Sequence, residues 1–142
     1  MALLQPTNLD DYCKAHKISF FELSLPCVFC KYNIDYVGLA QFHFKGLCLT
    51  YKDNVCFACC PKCLQLTARY ELQHYYRCHV PAEYIEFVCQ KPLKELTVRC
   101  LKCFKLLDNI EKFDCVTACL PFVLVRHHWR NYCRICVRQH DW

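Results

Sequence analysis

Apolar side chains recur at helical spacing in the middle of the chain. Over residues 64–80 they share one face of a helix, and Pro81 and Pro92 bracket a second, shorter segment. We predict a long linker helix over residues 64–80 and a second helix near residues 82–90. The residues of the first helical face are Leu64, Thr67, Ala68, Leu72, Tyr75 and Tyr76.

We predict an N-terminal arm over residues 1–26. Asp10 or Asp11 can cap a short helix there, because an aspartate side chain accepts hydrogen bonds from the N–H groups of a first helical turn. The apolar face predicted for this helix consists of Ile18, Phe21 and Leu25.

Two further segments, residues 40–51 and 121–126, are rich in aromatic and β-branched residues, which pack well on a pleated sheet. We predict short antiparallel strands in both segments. Together with the helices, these strands indicate an α+β fold.

Cysteine is far more frequent than usual, with 16 among 142 residues. Eight of these cysteines form four CxxC pairs, and 29 residues separate the two pairs within each half of the chain. A single offset of 73 residues superposes one half on the other, which predicts a tandem duplication. The four pairs are Cys27/Cys30, Cys60/Cys63, Cys100/Cys103 and Cys133/Cys136.

Two CxxC turns offer four sulfurs to one ion, which is the tetrahedral coordination of closed, structural zinc sites. Halves of about 70 residues seldom bury enough apolar surface to be stable alone, so a metal is expected to stabilise each. Residues 1–6 lack the basic start and apolar core of a secretory signal, and we expect an intracellular, reducing environment that disfavours disulfides. We predict two Zn²⁺ ions, one in each half.

Apolar positions obey the same offset, which supports a small core around each metal. The matched pairs are Val28/Leu101, Ile34/Leu107, Val37/Ile110 and Leu47/Leu120. The predicted organisation after the arm is a first zinc domain (residues 27–63), linker helices (64–99), a second zinc domain (100–136) and a C-terminal tail (137–142).

The other eight cysteines are interpreted as free thiols that are mostly small buried hydrophobes, although Cys56/Cys59 forms a fifth CxxC overlapping the second pair. They are Cys13, Cys48, Cys56, Cys59, Cys78, Cys89, Cys115 and Cys119. The histidines lack the spacing of a zinc finger. We predict that His74, His79, His127 and His128 are surface or groove residues rather than ligands.

The formal net charge of +5 falls to about +1 when eight cysteine thiolates and two divalent ions are counted. This nearly neutral charge and the lack of a basic recognition helix argue against sequence-specific nucleic-acid binding. A zinc-dependent, nucleic-acid-binding transcription regulator is kept as the alternative function. A thiol oxidoreductase needs one reactive CxxC, and a RING-type ligase spaces its ligands differently, so no enzyme is expected. No apolar run approaches the ~18 residues of a membrane span.

The complete spacing, CxxC-x29-CxxC-x36-CxxC-x29-CxxC, resembles that of the papillomavirus early protein six, a viral oncoprotein with two zinc domains. The resemblance covers roughly residues 9–137, and the general pattern is that of cutaneous types. Flanking residues match as well: Leu47-Cys48 before Tyr51, Pro92-Leu93 before the third pair, Arg99 before Cys100, and Trp129 before Cys133.

The resemblance implies an adaptor rather than an enzyme. Family members bind an acidic LxxLL helix of a host protein in a groove between the two zinc domains and the linker helix. In one branch this helix belongs to a HECT-type ubiquitin ligase, and in another it belongs to Mastermind-like coactivators of Notch signalling. The implied consequences are altered transcription, differentiation, apoptosis and protein degradation in the host nucleus and cytoplasm.

By match with the family, apolar residues line this groove and basic residues face the acidic side of the bound helix. The alternative interpretation is plain core packing for Phe29, Leu47 and Leu64, and a solvated surface for the arginines. The matched residues are Phe29, Leu47, Cys48, Leu64, Thr67, Arg99, Arg126 and His128.

Two departures from the family pattern affect the expected partners. His128 stands where mucosal relatives carry an arginine, so part of the positive charge of the expected groove depends on pH. Binding of the Mastermind-like partner is therefore favoured over binding of the ubiquitin ligase. Residues 139–142, Gln-His-Asp-Trp, lack the motif that binds PDZ domains, and no PDZ partner is expected. A weak homodimer is compatible with the sequence.

Overall fold

Helix Pro61–Tyr75 contains the boundary between two structural units. In the computed structural model, which describes residues 5–138, the first unit spans Met1–Leu64 and the second spans Gln65–Trp142. Each unit contains one of the two predicted four-cysteine sets. No helix within residues 5–138 combines the length and the apolar character needed to cross a membrane.

Two helices and two short antiparallel hairpins build the first unit. They are helix α1 (Leu9–His16), strands β1 (Leu25–Pro26) and β2 (Asn33–Ile34), helix α2 (Tyr36–Phe44), and strands β3 (Thr50–Lys52) and β4 (Val55–Phe57). Strand β1 pairs with β2 and β3 pairs with β4, and a parallel bridge joins Cys27 to Ala58. The buried apolar side chains include Leu9, Leu23, Leu25, Ile34, Leu39 and Phe42.

Helix α1 is capped by a different residue from the two that were predicted. The side chain of Asn8 accepts a hydrogen bond from the backbone N–H of Asp11 at 2.8 Å. Asp10 and Asp11 instead lie in the first turn, where their negative charge is favourable at the positive end of the helix dipole.

The predicted apolar face of the arm helix is wrong. Lys17 adopts a left-handed conformation with φ of 55° and ends α1, so Ile18 and the residues after it lie outside the helix. Phe21 belongs to a 3₁₀ turn and is 76% exposed, whereas Leu25 is buried in β1. The apolar spacing over this segment therefore reflects three different local structures.

The strand predicted over residues 40–51 is correct only at its end. Helix α2 continues to Phe44. Its first turn is stabilised by Asp35, whose side chain accepts a hydrogen bond from Gly38 N at 3.0 Å. Only Thr50–Lys52 is a strand in this segment. Phe42 and Phe44, two of the aromatic residues on which the strand prediction was based, lie on helix α2 instead.

The second unit contains a four-stranded mixed sheet. After helix α3 (Pro61–Tyr75) come strand β5 (Tyr76–Val80), helix α4 (Ile85–Cys89), strand β6 (Val98–Cys100), helix α5 (Asn109–Thr117), and strands β7 (Phe122–Val125) and β8 (His128–Asn131). The strand order is β5-β7-β8-β6, with β6 and β8 parallel and the other pairs antiparallel. Its core includes Ile85, Val98, Leu107, Cys115 and Phe122.

The helix predicted over residues 64–80 ends five residues early. Residues Tyr76–Val80 form β5, which pairs with β7, and the carbonyl of Tyr75 accepts the N–H of Arg126 at 3.0 Å. Sheet pairing thus overrides the helical periodicity at this end. The second predicted helix is confirmed, as a 3₁₀ turn over Ala82–Tyr84 followed by α4. The strand predicted over 121–126 is confirmed as β7.

The duplication extends to the backbone of the two units. Helices α2 and α5 are related by the offset of 73 residues at both ends, and Asp35 and Asp108 cap them in the same way. Gly46 and Cys119 follow these helices with φ of 68° and 59°, respectively. Cys119 therefore occupies a left-handed position that favours glycine, and glycine stands there in the first copy.

The matched apolar pairs do not all belong to a core. Ile34 and Leu107 are both buried, with 5% and 4% of their surface exposed. Val37 and Ile110 are instead 50% and 63% exposed, so a core role for this pair is wrong. The two residues occupy the same outward position on α2 and α5.

Candidate metal centres

Each unit brings its four predicted cysteines together. The sulfurs of Cys27, Cys30, Cys60 and Cys63 all lie within 4.8 Å of one another, and the same holds for Cys100, Cys103, Cys133 and Cys136. The Sγ atoms of Cys30 and Cys60 are 3.9 Å apart, and those of Cys103 and Cys133 are 3.7 Å apart. All 16 cysteines are free thiols rather than disulfides.

These distances fit tetrahedral zinc. Four thiolates that each lie 2.3 Å from a central Zn²⁺ have sulfur separations of about 3.8 Å. The two observed separations fall on either side of that value. Each set therefore suits one structural zinc ion, which would cross-link distant parts of its unit and leave no open position for a substrate.

Backbone N–H groups point at the sulfurs from within the metal-binding turns. In the first centre, Cys60 N lies 3.5 Å from Cys27 Sγ. In the second centre, Cys136 N lies 3.4 Å from Cys133 Sγ, and Lys102 N lies 3.4 Å from Cys100 Sγ. Such hydrogen bonds favour the thiolate, which is the form that binds metal.

The pKa values of two buried ligands agree with this arrangement. Burial alone would raise the pKa of Cys27, but hydrogen bonds from backbone N–H groups outweigh it and lower the pKa to about 6. A hydrogen bond from the thiol of Cys103 lowers the pKa of Cys100 to about 7. The pKa of Cys133 is lowered as well, by hydrogen bonds from Cys100 and the other two ligand thiols. The thiolate is thus favoured at Cys27 in the first centre and at Cys100 and Cys133 in the second.

The two centres differ in their exposure to solvent. In the first centre only Cys27 is buried, and Cys30 is exposed. In the second centre Cys100, Cys133 and Cys136 are all buried, and Cys103 is half-buried. Competing chelators therefore have easier access to the first centre.

Glu111 stabilises the second centre, and this role was not predicted from the sequence. This carboxylate is only 2% exposed and belongs to a capping box with Asp108 at the start of α5. Its Oε2 accepts the backbone N–H of Arg134 at 2.8 Å, inside the Cys133–Cys136 turn, and its Oε1 pairs with Lys105. The spacing Asp108-x-x-Glu111 is the sequence signal that could have identified it.

Comparisons with known proteins agree with the predicted resemblance. A family model described as Early Protein (E6) matches residues 27–136. Protein E6 of human papillomavirus 4 is 42% identical over 139 residues, which cover 98% of this chain and 99% of that protein. The chain belongs to the E6 family of papillomavirus early proteins.

Other E6 relatives extend over most of the chain as well. Protein E6 of human papillomavirus 65 is 42% identical, covering 98% of this chain and 99% of that protein. Protein E6 of human papillomavirus type 8 is 38% identical, covering 96% and 89%. The predicted resemblance is confirmed, and these relatives agree with its cutaneous-like pattern.

A solved structure of an E6 domain matches part of the chain. The solution structure of the C-terminal zinc-binding domain of HPV51 oncoprotein E6 is 26% identical, with a TM-score of 0.41. The match covers 48% of this chain and 88% of that domain.

The peptide-binding residues predicted from the E6 resemblance are divided between the units. In the first unit, Phe29 is 58% exposed, Leu47 is half-buried, Cys48 is exposed and Leu64 is buried. In the second unit, Thr67 and Arg99 are half-buried, whereas Arg126 and His128 are exposed. The role of these eight residues stays a prediction, and so does the absence of a PDZ partner, which rests on residues 139–142 outside the described range.

The remaining cysteines of this E6 protein are less buried than predicted. Only Cys56, Cys59 and Cys115 are buried, whereas Cys48, Cys78 and Cys119 are exposed. The prediction that these eight thiols are mostly buried is therefore wrong. His74, His79, His127 and His128 are all exposed, as predicted, and within residues 5–138 no histidine joins either metal-binding group.

Proposed function

We propose that this E6 protein is a non-enzymatic adaptor that binds acidic LxxLL helices of host proteins. The observation that supports this proposal is the surface exposure of Phe29, Cys48, Arg126 and His128, four of the residues matched to the E6 family. A Mastermind-like coactivator is the preferred partner, and a HECT-type ubiquitin ligase is the second. The metal centres serve this function structurally, because each would hold a turn next to which a matched residue lies, Phe29 in the first unit and Arg99 in the second.

Phe29 supplies the apolar part of the proposal. It lies inside the Cys27–Cys30 turn, where the metal would hold its backbone, and 58% of its surface is exposed. An aromatic ring kept at the surface by a rigid turn loses little conformational entropy when a leucine packs on it. Leu47 and Cys48 are further partly or fully exposed members of the apolar set in the same unit.

Arg126 supplies a pre-positioned cation. Its guanidinium carbon lies 3.5 Å from the centroid of the Tyr75 ring, and its Nε lies 3.6 Å from Oε2 of Glu71. Stacking fixes the direction of the guanidinium, while 45% of the side chain remains exposed to a partner. A carboxylate of an acidic helix could therefore pair with Arg126 at a small entropic cost.

Arg99 and His128 complete the proposed basic set. Arg99 donates a hydrogen bond from Nη1 to the carbonyl of Phe104 at 2.9 Å, which anchors its side chain next to the second centre. His128 is exposed at the start of β8, where its imidazole is accessible to a bound helix.

The cellular role follows from the partner in this proposal. Binding a Mastermind-like coactivator would inhibit Notch signalling and alter transcription and differentiation. Binding a ubiquitin ligase would redirect protein degradation and modulate apoptosis, which is the oncoprotein role. Both require the protein in the host nucleus and cytoplasm, and neither requires catalysis by this chain.

Fluorescence anisotropy with the zinc-loaded protein tests the proposal. Two labelled acidic peptides are compared, one from the ubiquitin ligase and one from the Mastermind-like coactivator, each with a control in which the three leucines are alanines. Leucine-dependent binding supports the adaptor, and tighter binding of the second peptide supports the preferred partner. Absence of leucine-dependent binding to both peptides would overturn the adaptor proposal, and steeply salt-dependent binding of DNA would then favour the nucleic-acid alternative.

A further inference from the structure

A cavity in the second unit is lined by residues of helix α5 and of the segment 132–138. Its volume is about 230 Å³, whereas an apolar cavity of about 150 Å³ is already large enough for a benzene molecule. Several of the lining side chains are exposed, so the cavity is open to solvent. Among the described residues that line it, none belongs to the set matched to peptide binding, and a ligand of this cavity is therefore independent of the proposed adaptor function.

The internal duplication explains why side chains do not fill this space. By the offset of 73 residues, Cys115 and Val137 correspond to Phe42 and Leu64, which are larger and are only 3% and 6% exposed in the first unit. Tyr132 is larger than the cysteine at its equivalent position, but it is half-buried and lines the cavity. The second copy thus has less side-chain volume at two positions that are filled in the first.

Hydrogen bonds fix the two walls of the cavity relative to each other. The thiol of Cys115 donates to the carbonyl oxygen of Tyr132 at 3.4 Å, and the backbone N–H of Arg134 donates to Oε2 of Glu111 at 2.8 Å. Both bonds connect α5 with the segment that follows β8. The cavity is therefore preformed, and a ligand can enter without a rearrangement of these walls.

Four charged residues line the cavity, namely Glu111, Asp114, Arg134 and Arg138. The charge of Glu111 is balanced by its ion pair with Lys105. Asp114 contacts Arg134 at 3.7 Å, and both of these side chains are more than half exposed. Two guanidinium groups and one carboxylate therefore remain, and their net charge of about +1 favours a ligand with a single negative charge.

The two cations are specific to the second copy as well. Arg134 and Arg138 correspond to Pro61 and Gln65 of the first copy, neither of which is charged. The copy with the smaller side chains is thus also the copy with the two arginines. This combination provides both an apolar space and a site for an anionic group.

We infer that this cavity binds a small aromatic carboxylate. The ring would pack on Leu120, Tyr132 and Val137, and the carboxylate would pair with Arg138 and Arg134. A guanidinium matches a carboxylate in shape, because two parallel N–H groups donate to its two oxygens. The volume limits the ligand to one ring with a short chain, and the net charge favours a monoanion over a phosphate dianion.

Amide chemical shifts of the full-length, zinc-loaded protein test this site. The probes are 3-phenylpropanoate, its neutral analogue 3-phenylpropanamide, and acetate, which has the carboxylate without the ring. 3-Phenylpropanoate should cause saturable shifts at Leu120, Tyr132 and Val137 and should bind about ten-fold more tightly than either of the other probes. Absence of saturable shifts at these residues, or an equal affinity for the amide, would overturn the proposal.

An arginine substitution tests the anionic part of the site. Arg138→Gln introduces the uncharged residue of the first copy and should weaken binding of 3-phenylpropanoate about five- to ten-fold, with little change for the amide. The matched control is Arg69→Gln, which removes an exposed arginine on α3 and should keep the wild-type affinity. Equal affinities of the two variants would count against the carboxylate site.

A larger side chain tests the apolar part of the site. Val137→Phe should fill the cavity and abolish the saturable shifts at Leu120 and Tyr132 with both aromatic probes. A content of two zinc ions shows that the variant is folded. If Val137→Phe binds less metal, Val137→Leu replaces it, since the first copy carries leucine there, and should weaken binding several-fold. An unchanged affinity in the folded variant would overturn the proposal.

Discussion

Glu111 accepts the backbone N–H of Arg134 through its Oε2 atom at 2.8 Å, although the two residues lie in different elements of the second unit. Arg134 is the first residue inside the Cys133–Cys136 turn, so a carboxylate on helix α5 holds the backbone from which two metal-binding sulfurs project. The same carboxylate caps the helix and pairs with Lys105, close after Cys103. Helix α5 and the second metal centre are therefore stabilised together.

Glu111→Ala should destabilise the metal-loaded second unit by about 3 to 5 kcal/mol, because it leaves buried donors without their carboxylate. Glu111→Gln should lose less, since an amide oxygen can still accept a hydrogen bond. Unfolding in guanidinium chloride, followed with Co²⁺ bound at the centres, measures both. Asp114→Asn is the control, as Asp114 is 59% exposed and its 3.7 Å pair with Arg134 contributes below about 1 kcal/mol. Equal stability of Glu111→Ala and Asp114→Asn would contradict this role.

The metal centres could be predicted in full because their signal is local and repeated. A CxxC turn defines two ligands by chain geometry alone, and the 73-residue offset assigns each pair to its partner. The linker helix was also predictable over most of its length, since Leu64 and Ala68 are buried on one face of α3.

The other features depend on partners that are distant in sequence. Strand β5 replaces the end of the predicted helix because β7, more than 40 residues away, pairs with it. The position of Glu111 within its capping box can be read from the sequence, but its bond to Arg134, 23 residues later, cannot.

Gly38→Ala should destabilise the first unit even though alanine is the better helix former. A Cβ at this position would lie 2.5 Å from Cγ2 of the buried Ile34. The resulting overpacking costs about 1 to 3 kcal/mol, whereas the gain in helix propensity is about 1 kcal/mol. Chemical denaturation of the zinc-loaded protein measures the difference.

Two variants on the same helix separate these effects. Ala40→Gly, at an exposed position of α2, should cost about 1 kcal/mol from helix propensity alone. Ile34→Ala removes Cγ2, the atom that the new methyl group would meet, so the cost of Gly38→Ala should be smaller in the Ile34→Ala background than in the wild type. A stabilised Gly38→Ala protein would show that Ile34 moves aside freely.

Cys115 should make the second unit less stable at alkaline pH. Burial raises its pKa to about 11, above the value of about 8.5 for an unfolded thiol. The raised folded pKa means that the stabilising contribution is complete below pH about 8.5 and is lost as pH rises towards about 11. The unfolding free energy, measured from pH 8 to pH 10.5, should therefore fall more steeply for the wild type than for Cys115→Ala.

The size of this effect follows from the shift in pKa. Two pKa units correspond to about 2 to 3 kcal/mol, of which most should be lost by the upper end of the range. Cys115→Ala also leaves a small cavity, so only the slope with pH is compared and not the absolute stability. Cys78→Ala removes an exposed thiol of the same unit, retains Cys115, and should keep the wild-type slope. Parallel slopes for all three proteins would rule out Cys115 as the source.

Arg126→Ala should weaken binding of an acidic LxxLL peptide about 5- to 30-fold, or about 1 to 2 kcal/mol, if the proposed function is correct. The stacking of Arg126 on Tyr75 holds its charge in one direction, and alanine removes both the charge and the stack. Titrations at two salt concentrations should show the larger loss at the lower one, because exposed charge pairs are screened. Arg69→Ala, which removes an exposed arginine on α3 outside the matched set, should leave the affinity nearly unchanged. Equal affinities of the two variants, with two zinc ions retained in each, would remove Arg126 from the binding surface.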